Sequence, residues 1–270
     1  MLKKLLFLFF VTIRLTVFSQ TEEVKLVSWN IRDFGKTKSS EELNSIAEIV
    51  KTYDIIAIQE VVAGYGGAQA VAKLSDILNR KGSKWDYVIS NPTNSSKYVT
   101  ERYAFIWKTK HIKIKNRGRL VKELDIEIDR EPFLLDFYLG KEKFTVLNFH
   151  SRPYNRDPET EIKALSKFVL NSFSTPVLIA GDFNVNEKEV VFNQLKNRGY
   201  NATLSNKKTT LKRTCPNGNY LNHAIDNIFY SKQIKKLDGN VLDFIKACNN
   251  LEAGRNLSDH LPVFLKFSMN

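Results

Sequence analysis

Residues 176–185 run Pro-Val-Leu-Ile-Ala-Gly-Asp-Phe-Asn-Val. The first five carry no polar side chain, the composition of a strand buried on both faces of a sheet. The run then stops on Gly181-Asp182-Phe183-Asn184. A carboxylate and a carboxamide therefore stand just past the C-terminal end of a buried strand, the edge where α/β sheets bind ligands. Asp182 offers a hard anionic oxygen; Asn184 offers a neutral oxygen and two N–H donors. That pair suits a divalent cation held beside a phosphate. Taken alone, the segment is equally a strand followed by an Asx turn, so the rest of the chain has to decide.

The same design recurs. Val24–Trp29 reads as a short strand ending at Asn30, followed by a loop with Arg32, Asp33 and Gly35. Ser39-Ser40-Glu41-Glu42 spells a capping box, and Leu43, Ile46, Ala47 and Val50 recur at helical spacing. A second buried strand, Ile55–Ile58, ends on Gln59-Glu60. This succession is a βαβ unit with a parallel strand pair. Helical spacing returns over 68–80, then a strand over Trp85–Ser90 and a polar loop over 91–100. Glu101 opens a strand over Arg102–Lys108, and Arg130-Glu131-Pro132 leads into another. Phe133–Leu139 and Phe144–Phe149 flank Gly140-Lys141 as a hairpin whose second arm ends on His150. Asp157 and Pro158 open a helix with Ile162, Leu165 and Val169 on its apolar face. A further helix is expected near Glu187–Arg198, then an irregular basic stretch over 200–222. Ala224–Tyr230 reads as a strand carrying Asp226, and Ser258-Asp259-His260 precedes a last strand, Pro262–Phe267.

No linker, internal repeat or low-complexity tract divides residues 20–270, which read as one domain. Residues 1–19 differ: Lys3 and Lys4 precede an apolar run, and Val17-Phe18-Ser19 supplies small residues for cleavage before Gln20. This is the pattern of a secretory signal peptide, and Arg14 within it argues against a membrane span. The expected location is secreted or periplasmic. Net charge is +12 and falls to +9 when Lys3, Lys4 and Arg14 are removed. A basic exported chain favours polyanionic partners such as nucleic acid or anionic headgroups. Cys215 and Cys248 are too few for a disulfide framework or a cysteine zinc site; whether they pair stays open.

Asn30, Glu60, His150, Asp182 and Asn184 each sit at a strand's C-terminal end. Glu101 and His260 stand just before strands, as antiparallel neighbours delivering groups to the same rim would, and Asp226 lies early in its own. Each residue has a bland explanation as a turn, cap or solvated strand end. Their joint placement supports phosphodiester hydrolysis, which needs an activated water, neutralised phosphoryl charge and a stabilised leaving oxygen. The G-x-S-x-G, P-loop, G-x-G-x-x-G and H-E-x-x-H patterns are all absent.

The segments WNIRDFG, IIAIQEV, ERYAFIW, DREPF, NFHSRP, LIAGDFNV, AIDNIFY and SDHLPV follow one another over residues 24–268. In that order they resemble the endonuclease/exonuclease/phosphatase superfamily, most of all its deoxyribonuclease-I branch. The resemblance implies an α/β (α+β) four-layer sandwich, two packed mixed β-sheets flanked by helices, with the site at one end. It implies a principal metal site at Glu60 with Asn30, and a second metal or phosphate cluster at Asp182, Asn184 and Asp259. His150 with Glu101, and His260 with Asp226, become two proton-handling pairs. Arg32 and Arg130 become phosphate contacts that position a duplex without reading sequence. The implied cofactor is Mg²⁺ or Mn²⁺; a Ca²⁺ site is not supported, because the cysteine pair of that region is replaced by Asn186 and His223. Val62 stands where the family places a groove-inserting arginine, Arg152 occupies a position that is commonly small and is a substitute contact, and Tyr98 is one place off the family tyrosine, which is Val99 here. The resulting expectation is an exported, monomeric, metal-dependent endonuclease of low sequence specificity acting on DNA, with RNA as a related substrate. A phospholipid phosphodiesterase such as a sphingomyelinase, an abasic-site repair enzyme and a catalytically silent polyanion-binding protein are the competing readings.

Overall fold

The computed structural model describes residues 22–269; the expected signal peptide lies outside them. One six-stranded sheet contains β1 (Val24–Phe34), β2 (Ile55–Val62), β3 (Trp85–Ile89), β4 (Glu101–Lys108), β12 (Ile234–Val241) and β13 (Val263–Met269), in the order β12-β13-β1-β2-β4-β3. The other contains β5 (Ile112–Ile114), β6 (Arg119–Leu120), β7 (Phe133–Leu139), β8 (Glu142–His150), β9 (Val177–Asp182), β10 (Asn201–Ala202) and β11 (Asp226–Tyr230), in the order β10-β11-β9-β8-β7-β5 with β6 on β7. Each sheet has one parallel pair, β1 with β2 and β8 with β9, among antiparallel neighbours. The helices are α1 (Ser40–Val50), α2 (Tyr65–Asn79), α3 (Pro158–Ser172), α4 (Asn193–Lys196) and α5 (Leu251–Leu257).

Side-chain alternation along the strands produces the layers. Ile55 and Ala57 of β2 face the core between the sheets, where Phe105, Phe137, Phe144, Leu178 and Ala180 pack. Ile56 and Ile58 face outward onto α1 and α2 through Ile46, Val50, Val71 and Leu74. Val177 and Ile179 of β9 face α3 through Ile162, Leu165 and Val169. The result is the expected sandwich of two mixed sheets flanked by helices. Helix α1 starts where its capping box predicts: Ser39 Oγ accepts the Glu42 N–H at 3.1 Å, and the Glu42 carboxylate accepts the Ser39 N–H at 2.6 Å.

Each parallel crossover sends two strands the same way, so Asn30 and Glu60 share one edge, as do His150 and Asp182. The last two are register partners. Gly181 makes that pairing possible, because a Cβ there would lie 1.8 Å from the Phe149 carbonyl oxygen. The sheets are also tied beneath the site. Gln59 Nε2 donates to Ser28 Oγ at 3.2 Å and to Asn148 Oδ1 at 2.5 Å, while Asn148 Nδ2 donates to the carbonyls of Ile58 and Ala104.

Several local expectations are corrected. β1 does not end at Trp29: it runs to Phe34, its pairing with β2 shifting register between Asn30 and Phe34, so Arg32 and Asp33 belong to a bulged strand. The helix expected near Glu187–Arg198 is reduced to a 3₁₀ turn at Val190–Phe192 and one turn of α4, anchored by Phe192 and Leu195. Asp157 precedes α3 in a left-handed conformation (φ 55°), and its side chain accepts no backbone N–H of the helix. Strand β12 and helix α5 carry no clear signal in the sequence. The first is a largely exposed edge strand without clean alternation, held by β13; the second is seven residues long and contains Gly254.

Candidate active site

The open end of the sandwich gathers polar groups from both sheets. At its centre is Asp182, 1% exposed. His150 Nε2 lies 3.5 Å from Asp182 Oδ2, and His260 Nε2 lies 3.8 Å from the same atom. Behind each imidazole stands a second carboxylate. His150 Nδ1 faces Glu101 at 2.9 Å, and His260 Nδ1 faces Asp226 at 3.0 Å. Both rings therefore turn Nε2 toward the shared aspartate, and each carboxylate fixes the tautomer with the proton on Nδ1.

The two carboxylates have different supports. Glu101 receives Arg130 Nη1 at 3.5 Å and the Glu60 N–H at 3.3 Å. Asp226 Oδ2 receives the Thr209 hydroxyl at 2.6 Å. Thr209 belongs to a segment bound across the site: Thr210 bridges to His260, the Leu211 N–H donates to the Asp259 carbonyl, and the Leu261 N–H donates to the Thr209 carbonyl. A disulfide between Cys215 and Cys248 secures this segment, answering the pairing that the sequence left open.

These supports set the charges. Burial alone would push the Glu101 carboxyl up, but His150 and Arg130 overcome it and hold it below the ordinary value. Burial and Arg130 both oppose protonation of His150; Glu101 and Asp182 outweigh them, and the net direction is up. For His260 burial is again the downward influence, and Asp226, Asp182 and Asp259 carry the imidazole up to about 10.

On the other side, Asn30 Nδ2 donates to Glu60 Oε1 at 3.0 Å and to Asp182 Oδ2 at 3.2 Å, crossing between the sheets. Asn30 Oδ1 is buried and has no hydrogen-bond partner among the described residues. Backbone geometry aims several of these groups. Asp33 (φ 49°), Glu60 (φ 59°) and Asn184 (φ 51°) all adopt left-handed conformations, and β2 shifts register against β4 between Ile58 and Val61. Such residues cost on the order of 1–3 kcal/mol each and persist where their surroundings fix them. In Glu60 the Oε2 atom is held by the Asp33 N–H at 3.1 Å.

Asn30, Glu60, Glu101, His150, Asp182, Asp226 and His260 thus form one connected group. Asn184 joins it through its N–H on Asp182 Oδ1 at 2.9 Å, while its Nδ2 donates to the Ser151 carbonyl at 3.2 Å. Asp259 stands at the rim, 3.9 Å from Arg32 and 3.7 Å from Arg255. Arg130 is buried behind His150, donating to the carbonyls of His150 and Ser151. Arg152 is not brought into the group: it pairs with Asp129 at 2.8 Å and with the fully buried Glu161 at 3.1 Å. Val62 and Tyr98 line a neighbouring cleft with Glu60 and Glu101.

Sequence reasoning missed Thr209, Ser258 as a brace, and Glu161. Ser258 Oγ donates to the Asn30 carbonyl at 2.7 Å and accepts the His260 N–H at 3.0 Å. Glu161 accepts the N–H groups of Asp129 and Arg152, fixing the loops beside Arg130 and Ser151. Its signal was a glutamate on the apolar face of α3, one place before Ile162.

The donor set fits a hard divalent cation. Glu60 supplies a carboxylate beside the unpartnered Asn30 Oδ1. Ligand atoms of Asp182, Asp226 and His260 also lie within 4.8 Å of one another. No helix among the described residues is long and apolar enough to cross a membrane.

Residues 27–260 match the model of the Endonuclease/Exonuclease/phosphatase family. Deoxyribonuclease-1 of Bos taurus is 31% identical over 189 residues, covering 63% of this chain and 64% of that protein. Deoxyribonuclease gamma of Mus musculus is 27% identical, covering 91% of this chain and 85% of that protein. The chain spans 64% of the bovine deoxyribonuclease-1 and 60% of the murine one, less than two thirds of either. An endonuclease/exonuclease/phosphatase family protein from Bacteroides thetaiotaomicron has the same fold, with a TM-score of 0.66 at 16% identity over 93% of this chain and 99% of that one. This chain belongs to the Endonuclease/Exonuclease/phosphatase family and, by its sequence, to the deoxyribonuclease-I-like branch.

Proposed function

We propose that the protein is an exported, divalent-metal-dependent endonuclease that hydrolyses DNA phosphodiester bonds with little sequence specificity. One observation carries the reading: two carboxylate-backed histidines turn their Nε2 atoms onto the same aspartate, at 3.5 and 3.8 Å. A phosphodiester seated over Asp182 has an imidazole on either side. Hydrolysis forms a bond from water oxygen to phosphorus and breaks the bond from phosphorus to the leaving oxygen. One histidine takes the water's proton at Nε2, and the other supplies a proton from Nε2 to the leaving oxygen. Glu101 and Asp226 keep the rings oriented and stabilise their cationic forms. Asp182 orients the water, and Asn184 and Arg32 hold phosphate oxygens. Glu60 and Asn30 are the residues that would hold a divalent cation, with Asp259 at the rim; held there, it would supply Lewis-acid neutralisation of phosphoryl charge. The deoxyribonuclease names of the relatives support DNA as the substrate.

The Cys215–Cys248 disulfide supports an oxidising compartment, in keeping with a cleaved N-terminus. N-terminal sequencing of the exported protein checks this and is expected to begin at Gln20.

Supercoiled plasmid with Mg²⁺, with and without chelator, tests the activity beside His150→Ala and His260→Ala. Nicking that chelator abolishes and both variants lack is the expected result. Chelator-resistant cutting sinks the metal requirement, and undiminished nicking by both variants sinks the residue roles. Release of phosphocholine from sphingomyelin with plasmid and RNA left intact replaces the reading by the phospholipid one.

A further inference from the structure

The segment that delivers Thr209 to Asp226 also carries Lys208, Lys212 and Arg213. Lys208 and Arg213 are exposed and Lys212 half-buried, and none of the three pairs with a carboxylate among the described residues. Unneutralised cations on a free loop are solvated in any direction. These are not on a free loop. The Thr209 hydroxyl, the Thr210–His260 bridge and the Leu211 N–H to the Asp259 carbonyl fix the segment against the site, and the Cys215–Cys248 disulfide fixes its far end.

The row of cations continues beyond the segment. Arg255 Nη1 donates to the carbonyls of Leu211 at 2.7 Å and Lys212 at 3.2 Å, and Arg32 Nη2 donates to the Arg255 carbonyl at 3.3 Å. Lys38 Nζ donates to the carbonyls of Asn256 and Leu257, both at 2.8 Å. Asp259 is the one carboxylate with which any of these six cations forms an ion pair among the described residues. The cleft on the opposite side of the site has another character: it is lined by Asp33, Glu60 and Glu101, with Lys97 and Arg130.

We propose that Lys208, Lys212, Arg213, Arg255, Arg32 and Lys38 form a basic track that binds the phosphate backbone of a nucleic-acid strand as it leaves the site on the β11–β13 side. The track rests on the endonuclease reading for its substrate. The four-residue step from Lys208 to Lys212 spans at most roughly 13 Å, a length over which one DNA strand carries up to about four phosphates. Polymer is therefore gripped mainly on one side of the scissile bond. The contacts carry no base readout, in keeping with low sequence specificity.

Binding of a fluorescently labelled DNA oligonucleotide, followed by anisotropy in the presence of chelator over a range of salt, tests the track. The variant Lys208→Glu/Arg213→Glu is compared with a charge-matched control, Lys163→Glu/Lys167→Glu, on the exposed face of α3. The track variant is expected to lose at least roughly tenfold in affinity at low salt, and its log Kd against log salt slope is expected to flatten by about two. The control keeps the wild-type slope. An unchanged slope in the track variant overturns the proposal, as does an equal loss in the control, which reduces the effect to net charge. Wild-type binding to phosphatidylserine vesicles but not to DNA also overturns it, because the surface then serves a lipid. Wild-type hydrolysis of bis(p-nitrophenyl) phosphate with Mg²⁺ needs no track. Its absence counts against the hydrolase chemistry alone, while a failure confined to DNA binding counts against the track alone.

Discussion

The two histidine pairs are alike in geometry and unlike in surroundings. His150–Glu101 is enclosed, and its carboxylate rests against the buried guanidinium of Arg130. His260–Asp226 is more open, and its carboxylate rests against the neutral hydroxyl of Thr209. A cation behind Glu101 competes with His150 for its negative charge. Among the described residues no lysine or arginine forms an ion pair with Asp226, and Asp182 and Asp259 add to the field that holds His260 charged. Both imidazoles are held above the ordinary value, His260 at about 10, by carboxylates whose own supports differ in charge.

Removing either ring is expected to have the largest effect. His150→Ala and His260→Ala are each expected to lower kcat roughly 10²–10⁴-fold on plasmid, and the double variant is expected to fall little below the worse single one, since in the proposed mechanism the two rings serve one step. A double loss equal to the product of the singles would make the pairs independent. Arg130→Met comes next. It strips the buried cation from Glu101, and breaking such a pair costs on the order of 3–5 kcal/mol. Chemical denaturation is expected to show that loss, with activity falling through the His150 side. Thr209→Val follows: it removes the hydrogen bond to the Asp226 carboxylate, about 1.5–3 kcal/mol, and the oxygen that accepts the Ile225 and Asp226 N–H groups, and a loss of activity as large as that of Arg130→Met would show that the two supports are equivalent after all.

The smallest effect sharpens the electrostatic contrast. In metal-free protein, NMR titration of the His260 ring is expected near 10, against an ordinary value of 6.5. A folded value raised above the unfolded one contributes stability that is complete below pH 6.5 and disappears as pH rises through about 10. Asp226→Asn is expected to bring the titration down and to narrow that window. A His260 midpoint that stays at 6.5 in the wild type would remove the contrast.

Much of this arrangement was legible in the chain. Strands β2 and β9 announce themselves as apolar runs, and the polar residues that end them are the ones found at the site. The capping box places α1 to the residue. What was not legible depends on distant partners. Thr209 touches Asp226 across 17 residues of irregular chain, and nothing local marks it as a brace. Arg130 looks like a phosphate contact in sequence, yet its position behind His150 follows from packing of three segments. Strand β12 exists because β13 offers it an edge, not because its own residues alternate. The reach of β1 past Trp29 follows from a bulge, which no periodicity encodes.

The tie between Gln59 and Asn148 has a consequence for turnover. On the proposed reaction the site would gain and lose protons, a cation and a polyanion in each cycle, and the forces between its charged groups would change every time. At the site the two halves meet through titratable groups, Glu101 with His150 and Asp226 with His260; beneath it they meet through amides, which do not titrate and are bonded to uncharged partners. That lower tie is blind to the charges above it. Substituting it with a carboxylate, as in Gln59→Glu, would make the distance between the two halves a function of pH.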